Sequence, residues 1–228
     1  VGDLLYGAGR DSAARQHFAL SQRSGRDSLP GREASARLSE LALRGLSSLP
    51  DVEAVIARTR DAAAGTALQR RLDENVVFVK ILETRTDYTG SSLFLAGEVA
   101  RDSLRAFGYA HSVFKRLVAS LPNVPVAPKA LLAAAALAPD SAPVYYARLR
   151  EEYRSSPITM ALDGRDNPLI APVSNADLLL QQAWAAASKS FADSLNARRR
   201  ARDQSAAVAA SGGVPPPTPP PIPPPSPR

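Results

Sequence analysis

SSLFLAGEVARDSLRAFGYAHSVFKRLVASLPNVPVAPKALLAAAALAPDSAPVYYARLREEYRSSPITMAL, residues 91–162, decides the fold class. Leu95, Val99 and Leu104 fall on one side of a helix over 91–105, which Gly108 is placed to break. Val113, Phe114, Leu117 and Leu121 repeat that spacing over 109–121, a segment that Pro122 and Pro125 end. Pro128 suits the first position of a helix over 129–137, and Pro139 stops it. Asp140-Ser141 then caps 143–154, which carries Val144, Tyr146, Leu149 and Tyr153, and Ser156-Pro157 opens a short unit over 158–162. Helix follows helix with no strand period between them, so the class is all-α.

A shift of 32 residues lays Phe114, Leu117, Leu121 and Pro125 over Tyr146, Leu149, Tyr153 and Pro157. A helical hairpin recurring near this length, with proline after the second helix, resembles the tetratricopeptide repeats. The resemblance covers residues 91–162 and implies stacked antiparallel hairpins, a solenoid in which each hairpin buries its apolar face on the next. Five Asp-Ser pairs, at 11–12, 27–28, 102–103, 140–141 and 193–194, add to the modular pattern, and helix capping accounts for several of them.

Upstream, helices are expected over 11–22 and 32–47, the latter with Ala34, Leu38, Leu41 and Leu46 and closed by Pro50. The next covers 51–64, with Val52, Val55 and Ile56 on one side. Leu68, Leu72, Val76, Val79 and Leu82 then recur at helical intervals. Val76–Val79 alone could form a strand, but the surrounding period predicts helix. Asp87-Tyr88-Thr89-Gly90 is a turn.

Downstream, Ser174 is the expected cap of a last helix, with Asp177 in its first turn. Leu180, Trp184, Ala187, Phe191 and Leu195 form its stripe, and Trp184 is expected in the core, with a partner-facing anchor as the other reading. The stripe runs into Arg198, Arg199, Arg200 and Arg202. This cluster suits anionic lipid headgroups or an acidic partner, or simply completes a helix C-terminus. No aromatics are interleaved, so nucleic acid is not expected. Residues 215–228, PPPTPPPIPPPSPR, hold ten of the 20 prolines. They predict an extended polyproline arm reaching roughly 43 Å. Pro215, Pro219, Ile222, Pro223 and Arg228 are its candidate contact residues, whether the arm acts as groove ligand, spacer or strap. The expected organisation is a hairpin-repeat domain over 1–165, a C-terminal helix with a basic end over 166–205, and an Ala/Gly-then-Pro arm over 206–228.

Composition narrows the function classes. Of 228 residues 45% are hydrophobic, but only 6% are aromatic and alanine, the best helix former, supplies much of the rest. Without cysteine there is no disulfide, thiolate nucleophile or Cys-based metal site. The net charge is 28 − 22 = +6, and +4 of it lies from Ser188 onward. The longest apolar runs, 131–138 and 178–180, fall far short of the ~20 residues that span a bilayer, so the chain is not expected to be membrane-spanning. Its start at Val1 instead of Met fits either a processed N-terminus, as after removal of a signal peptide, or a true start lying upstream.

Chemical motifs are sparse. His17 and His111 are the available imidazoles, each with packing or surface roles expected. Ser112 and Lys115 have Ser-x-x-Lys spacing without the companion elements of that chemistry. Gly7-Ala8-Gly9 lacks a preceding strand, and Glu151-Glu152 point about 100° apart on a helix. No catalytic residue, cofactor or metal is expected. The style of residues 125–153 resembles tetratricopeptide-type proteins of bacterial cell envelopes. That resemblance implies an accessory subunit of a membrane-associated assembly, one form being a photosynthetic reaction-centre and antenna complex. A free periplasmic adaptor and an enzyme without recognisable motifs are the alternatives.

Overall fold

The computed structural model describes residues 1–165 and 175–210, and every regular element among them is helical. The order is α1 (Gly2–Gly7), α2 (Asp11–Ser24), α3 (Leu29–Leu43), α4 (Leu49–Thr59), α5 (Ala67–Thr84) and α6 (Ser91–Asp102). There follow α7 (Phe107–Ser120), α8 (Ala127–Leu137), a 3₁₀ turn (Pro139–Ser141), α9 (Ala142–Glu152), α10 (Pro157–Leu162) and α11 (Asn175–Ala210). From α1 to α9 each helix packs on the next along the chain, and α10 packs back on α8. None of the described helices is long and apolar enough to cross a membrane.

Local chemistry explains the starts. Ser28, Ser48, Thr66 and Ser156 each accept a hydrogen bond from the backbone N–H three residues on, capping α3, α4, α5 and α10. Pro50 therefore opens α4 instead of closing the helix before it, since proline in a first turn forfeits only an N–H that has no partner there. Of the five Asp-Ser pairs only Ser28 caps. Ser141 has helical φ/ψ at the end of the 3₁₀ turn and makes no cap bond, Ser103 follows α6, and 193–194 lie inside α11. The cap expected at Ser174 lies outside the described residues.

Val76 and Val79 sit in α5 on the buried face with Leu72 and Leu82, so helix prevails over strand there. Between α6 and α7 the chain turns at Arg105, whose φ of 57° is held by the fully buried Leu104 and Ala106 on either side. Gly108 is not the break. It lies inside α7, where its N–H donates to the Arg44 carbonyl at 3.0 Å and a Cβ would stand 2.8 Å from the Leu46 carbonyl oxygen. In α9 the buried residues are Tyr145 and Leu149; Tyr146 and Tyr153 are half-buried, and Val144 is 61% exposed. The 3₁₀ turn sets the phase of α9, which the apolar pattern alone does not show.

Among the described residues, six side-chain hydrogen bonds join residues 31 to 34 positions apart: Arg37 to Asp3, Arg44 to Asp11, Arg71 to Glu40, Arg116 to Glu83, Tyr153 to the Pro122 carbonyl, and His111 with Tyr145. The chain divides into two compact units, Val1–Ser188 and Lys189–Arg228. The division runs within α11, whereas the sequence suggested 165/166 and 205/206. Residues 175–188 join the first unit through buried Ala176 and Ala187 and an ion pair between Asp177 and Lys129.

Candidate functional site

Within the first unit, a groove of about 780 Å³ opens between the loop after α7 and the α9–α10 turn. Val124, Pro125 and Pro128 form one wall, and Tyr153, Pro157 and Ile158 the other. The Tyr153 hydroxyl donates to the Pro122 carbonyl at 2.6 Å, tying the two walls together. Burial, reinforced by Glu152, raises the pKa of this phenol and keeps it a donor. The turn itself is locked: Thr159 donates through its hydroxyl to the Leu149 carbonyl, and Ser156 caps its N–H. Charges stand at the rim, where Lys129 pairs with Asp177 and Glu152 with Arg148. The arginine hydrogen bond holds the Glu152 carboxyl below its usual value. Such a surface offers proline and aliphatic contact, a fixed phenol and an ion pair at one end.

Two turns beyond Asp177 on α11, about 10 Å along the axis, stands Trp184. It is not a core residue, being 47% exposed. Its indole meets Phe78 edge-on, ring centroids 5.1 Å apart at 84°, so one edge is braced and the rest presented. The burial seats on this part of α11 go to the small side chains of Ala176 and Ala187, and an indole does not fit an alanine seat.

A second groove, of about 880 Å³, lies among α1, α2, α3 and α5. Phe18, Ala34 and Leu68 line it, with Arg37, Arg71 and Glu74 at its edge. Beneath the arginines the Glu40 side chain, only 2% exposed, accepts from Arg37 at 2.9 Å and Arg71 at 3.0 Å. Both guanidinium groups are thereby committed to a buried carboxylate.

The other sequence candidates are dispersed. His17 is exposed at the edge of the second groove. His111 meets the Tyr145 hydroxyl at 2.7 Å, and burial together with nearby Lys115 lowers its pKa. Ser112 donates to the carbonyls of Ser47 and Tyr109, which fastens α7 to the loop after α3, and Lys115 is exposed. Gly7, Ala8 and Gly9 end α1, and Glu151 is exposed. No group of three or more metal-ligating side chains gathers among the described residues. Arg198, Arg199, Arg200 and Arg202 are exposed on α11. Pro215, Pro219, Ile222, Pro223 and Arg228 lie outside the described residues.

The groove at Pro125 was not anticipated, although its signal was present. Pro125 and Pro157, the equivalent prolines of the 32-residue shift, both line it. No protein family, no curated protein and no solved structure matches this chain.

Proposed function

We propose that this chain is a non-catalytic interaction subunit, a tetratricopeptide-like stack of helical hairpins that stabilises a larger membrane-associated assembly of the bacterial envelope. The hydrogen bonds at 31 to 34 positions support the hairpin stack: in a stack of two-helix units, a residue meets its counterpart one repeat later. The partner seats in the groove between Pro125 and Pro157 and against Trp184, and residues 211–228, which follow α11, make a separate contact. Two linked contacts raise the effective concentration of each, so neither has to be tight alone.

The observation that carries this reading is Trp184: the single tryptophan of the chain, half-exposed, braced by Phe78 and a short step from an apolar groove. Buried aromatic anchors dominate binding energy, and truncating one costs about 2 kcal/mol or more, roughly 30-fold in Kd. The test is isolation of the tagged chain from its native cells. A stoichiometric complex is expected, weakened at least ~30-fold by Trp184→Ala and lost on deletion of residues 206–228. A monomer indifferent to both changes refutes the proposal. The groove alone also suits a free adaptor for proline-rich or aliphatic peptides, which would stay monomeric and tolerate the deletion. The narrower photosynthetic form of the proposal stands on resemblance and requires pigment absorbance in the isolated complex.

A further inference from the structure

Arg198, Arg199, Arg200 and Arg202 lack the ordinary reason for their place. Cations at a helix C-terminus complement its dipole, an effect confined to the last turn. Here α11 continues to Ala210 with no basic residue in its last turn, and Arg202 sits about 12 Å before the end. No ion pair holds any of the four among the described residues, and Asp203, one turn after Arg199, stands in the less favourable order for a helical pair. Arg198 and Arg202, four apart, form a like-charge pair that disfavours the helix. Across residues 189–210 five Lys/Arg face two Asp, a net of 5 − 2 = +3. In the first unit Arg37 and Arg71 are engaged by Glu40, Arg60 by Asp73, Arg116 by Glu83 and Arg148 by Glu152. Others such as Arg15 and Arg85 have no ion pair among the described residues, so what sets α11 apart is four arginines within five residues.

We infer that residues 189–210 dock this chain on an anionic lipid surface through Arg198, Arg199 and Arg202. At about 100° per residue these three lie within one arc of about 100°. Arg200 lies outside it, about 160° from Arg198 and Arg202 and about 100° from Arg199, and Asp203 borders the arc about 40° beyond Arg199. A plane of phosphate headgroups reaches such an arc and misses the far side. A nucleic-acid groove encloses a helix, so it would engage Arg200 as well. Lipid is therefore the occupant the geometry favours, and the inference is independent of the groove at Pro125.

The experiment uses the full chain and vesicles of phosphatidylcholine with or without anionic phosphatidylglycerol, with cosedimentation as the readout. Anionic vesicles should bind it and plain ones should not, with affinity falling as salt rises. Arg198→Gln and Arg202→Gln should each weaken binding about fivefold, the triple variant with Arg199→Gln on the order of a hundredfold, and Arg200→Gln less than about twofold. The corresponding lysine triple variant should bind within about threefold of the native chain, because surface charge is what acts. No preference for anionic vesicles overturns the inference. So does an Arg200→Gln loss equal to that of Arg198→Gln, a lysine variant as weak as the glutamine one, or tighter binding to a DNA duplex at the same salt. Trp184→Ala should leave vesicle binding unchanged, so this inference and the partner-binding proposal fail separately.

Discussion

Replacing Gly97 with alanine reverses the usual sign of a helix substitution. Gly97 lies inside α6, where alanine is ordinarily worth about 1 kcal/mol over glycine. Its added Cβ, however, would stand 2.5 Å from Cε1 and 2.7 Å from Cζ of Phe114. Ordinary carbon contacts lie at about 3.5–4.0 Å, so the ring must retreat by about 1 Å. It has little room: Phe114 is fully buried and already packs on Phe94, centroids 5.4 Å apart. Overpacking of this kind costs about 1–3 kcal/mol. Subtracting the propensity gain leaves a net loss of about 1 kcal/mol, or roughly 3 °C in Tm for a unit of this size. Gly7, the last residue of α1, supplies the control, for nothing lies within 4 Å of its Cβ position and Gly7→Ala should be neutral or stabilising. Urea unfolding followed by far-UV circular dichroism reads both. In the Phe114→Leu background the clash is relieved and the propensity gain of about 1 kcal/mol remains, so Gly97→Ala should turn stabilising, a coupling of about 2 kcal/mol. A native-background Gly97→Ala protein that is more stable than the parent refutes the close α6–α7 packing on which this rests.

Glu40 gives an asymmetric pair of outcomes. Removing both guanidinium groups (Arg37→Gln with Arg71→Gln) strands a buried carboxylate and should cost about 3 kcal/mol, whereas Glu40→Gln releases two partly exposed arginines to water and should cost about 1 kcal/mol, both read from urea midpoints. Asp87 supplies a pH signature. Its burial raises the carboxyl pKa, but hydrogen bonds from the Thr89 hydroxyl and the N–H groups of Ser92 and Thr89 outweigh this and hold it below the usual value. A depressed pKa contributes stability that is present above the unfolded value of about 3.9 and is lost as pH falls through the folded one. Asp87→Asn should therefore flatten the acid limb below about pH 4 and leave the slope near neutrality unchanged, as measured by unfolding at stepped pH.

Much of the helical order was legible because apolar spacing and helix propensity agree, as in α5 and α7. The errors have local causes. Ser-Leu-Pro occurs at 28–30, 48–50 and 120–122. The first two open α3 and α4, where Gly-Arg-Glu and Asp-Val-Glu follow and can continue a helix. The third straddles the end of α7, because Asn123-Val124-Pro125 comes next and Pro125 cannot continue one. The tripeptide alone says "boundary" and leaves its direction to the residues after it. Trp184 misled for another reason. A stripe records which face of a helix is apolar, while burial depends on how much of a neighbouring helix is there to cover it. The Pro125 groove escaped because it arises where two segments about 32 residues apart converge, and neither segment alone is unusual.

The hydrogen bonds between residues 31 to 34 positions apart recur along most of the first unit. They begin at Asp3–Arg37 and recur through Asp11–Arg44, Glu40–Arg71 and Glu83–Arg116 to His111–Tyr145 and Pro122–Tyr153, well outside residues 91–162, where a repeat can be seen in the sequence. Apart from Glu40–Arg71, whose carboxylate is buried, the ion pairs among them are at least partly exposed and worth about 0–1 kcal/mol each, too little to fix an architecture. Their common separation thus follows from how the helices pack, and the packing rests on the apolar faces: Ala14, Phe18, Ala34 and Leu41 near the N-terminus, and Val113, Leu117, Tyr145 and Leu149 farther on. Val113 and Leu117 are related to Tyr145 and Leu149 by the same 32-residue shift, and all four are buried. Core positions that keep a period while their identities change from valine to tyrosine mark a constraint on placement more than on side-chain type. Helix stacking imposes such a constraint, since a hairpin needs an apolar face at the right azimuth and tolerates wide variation in what fills it.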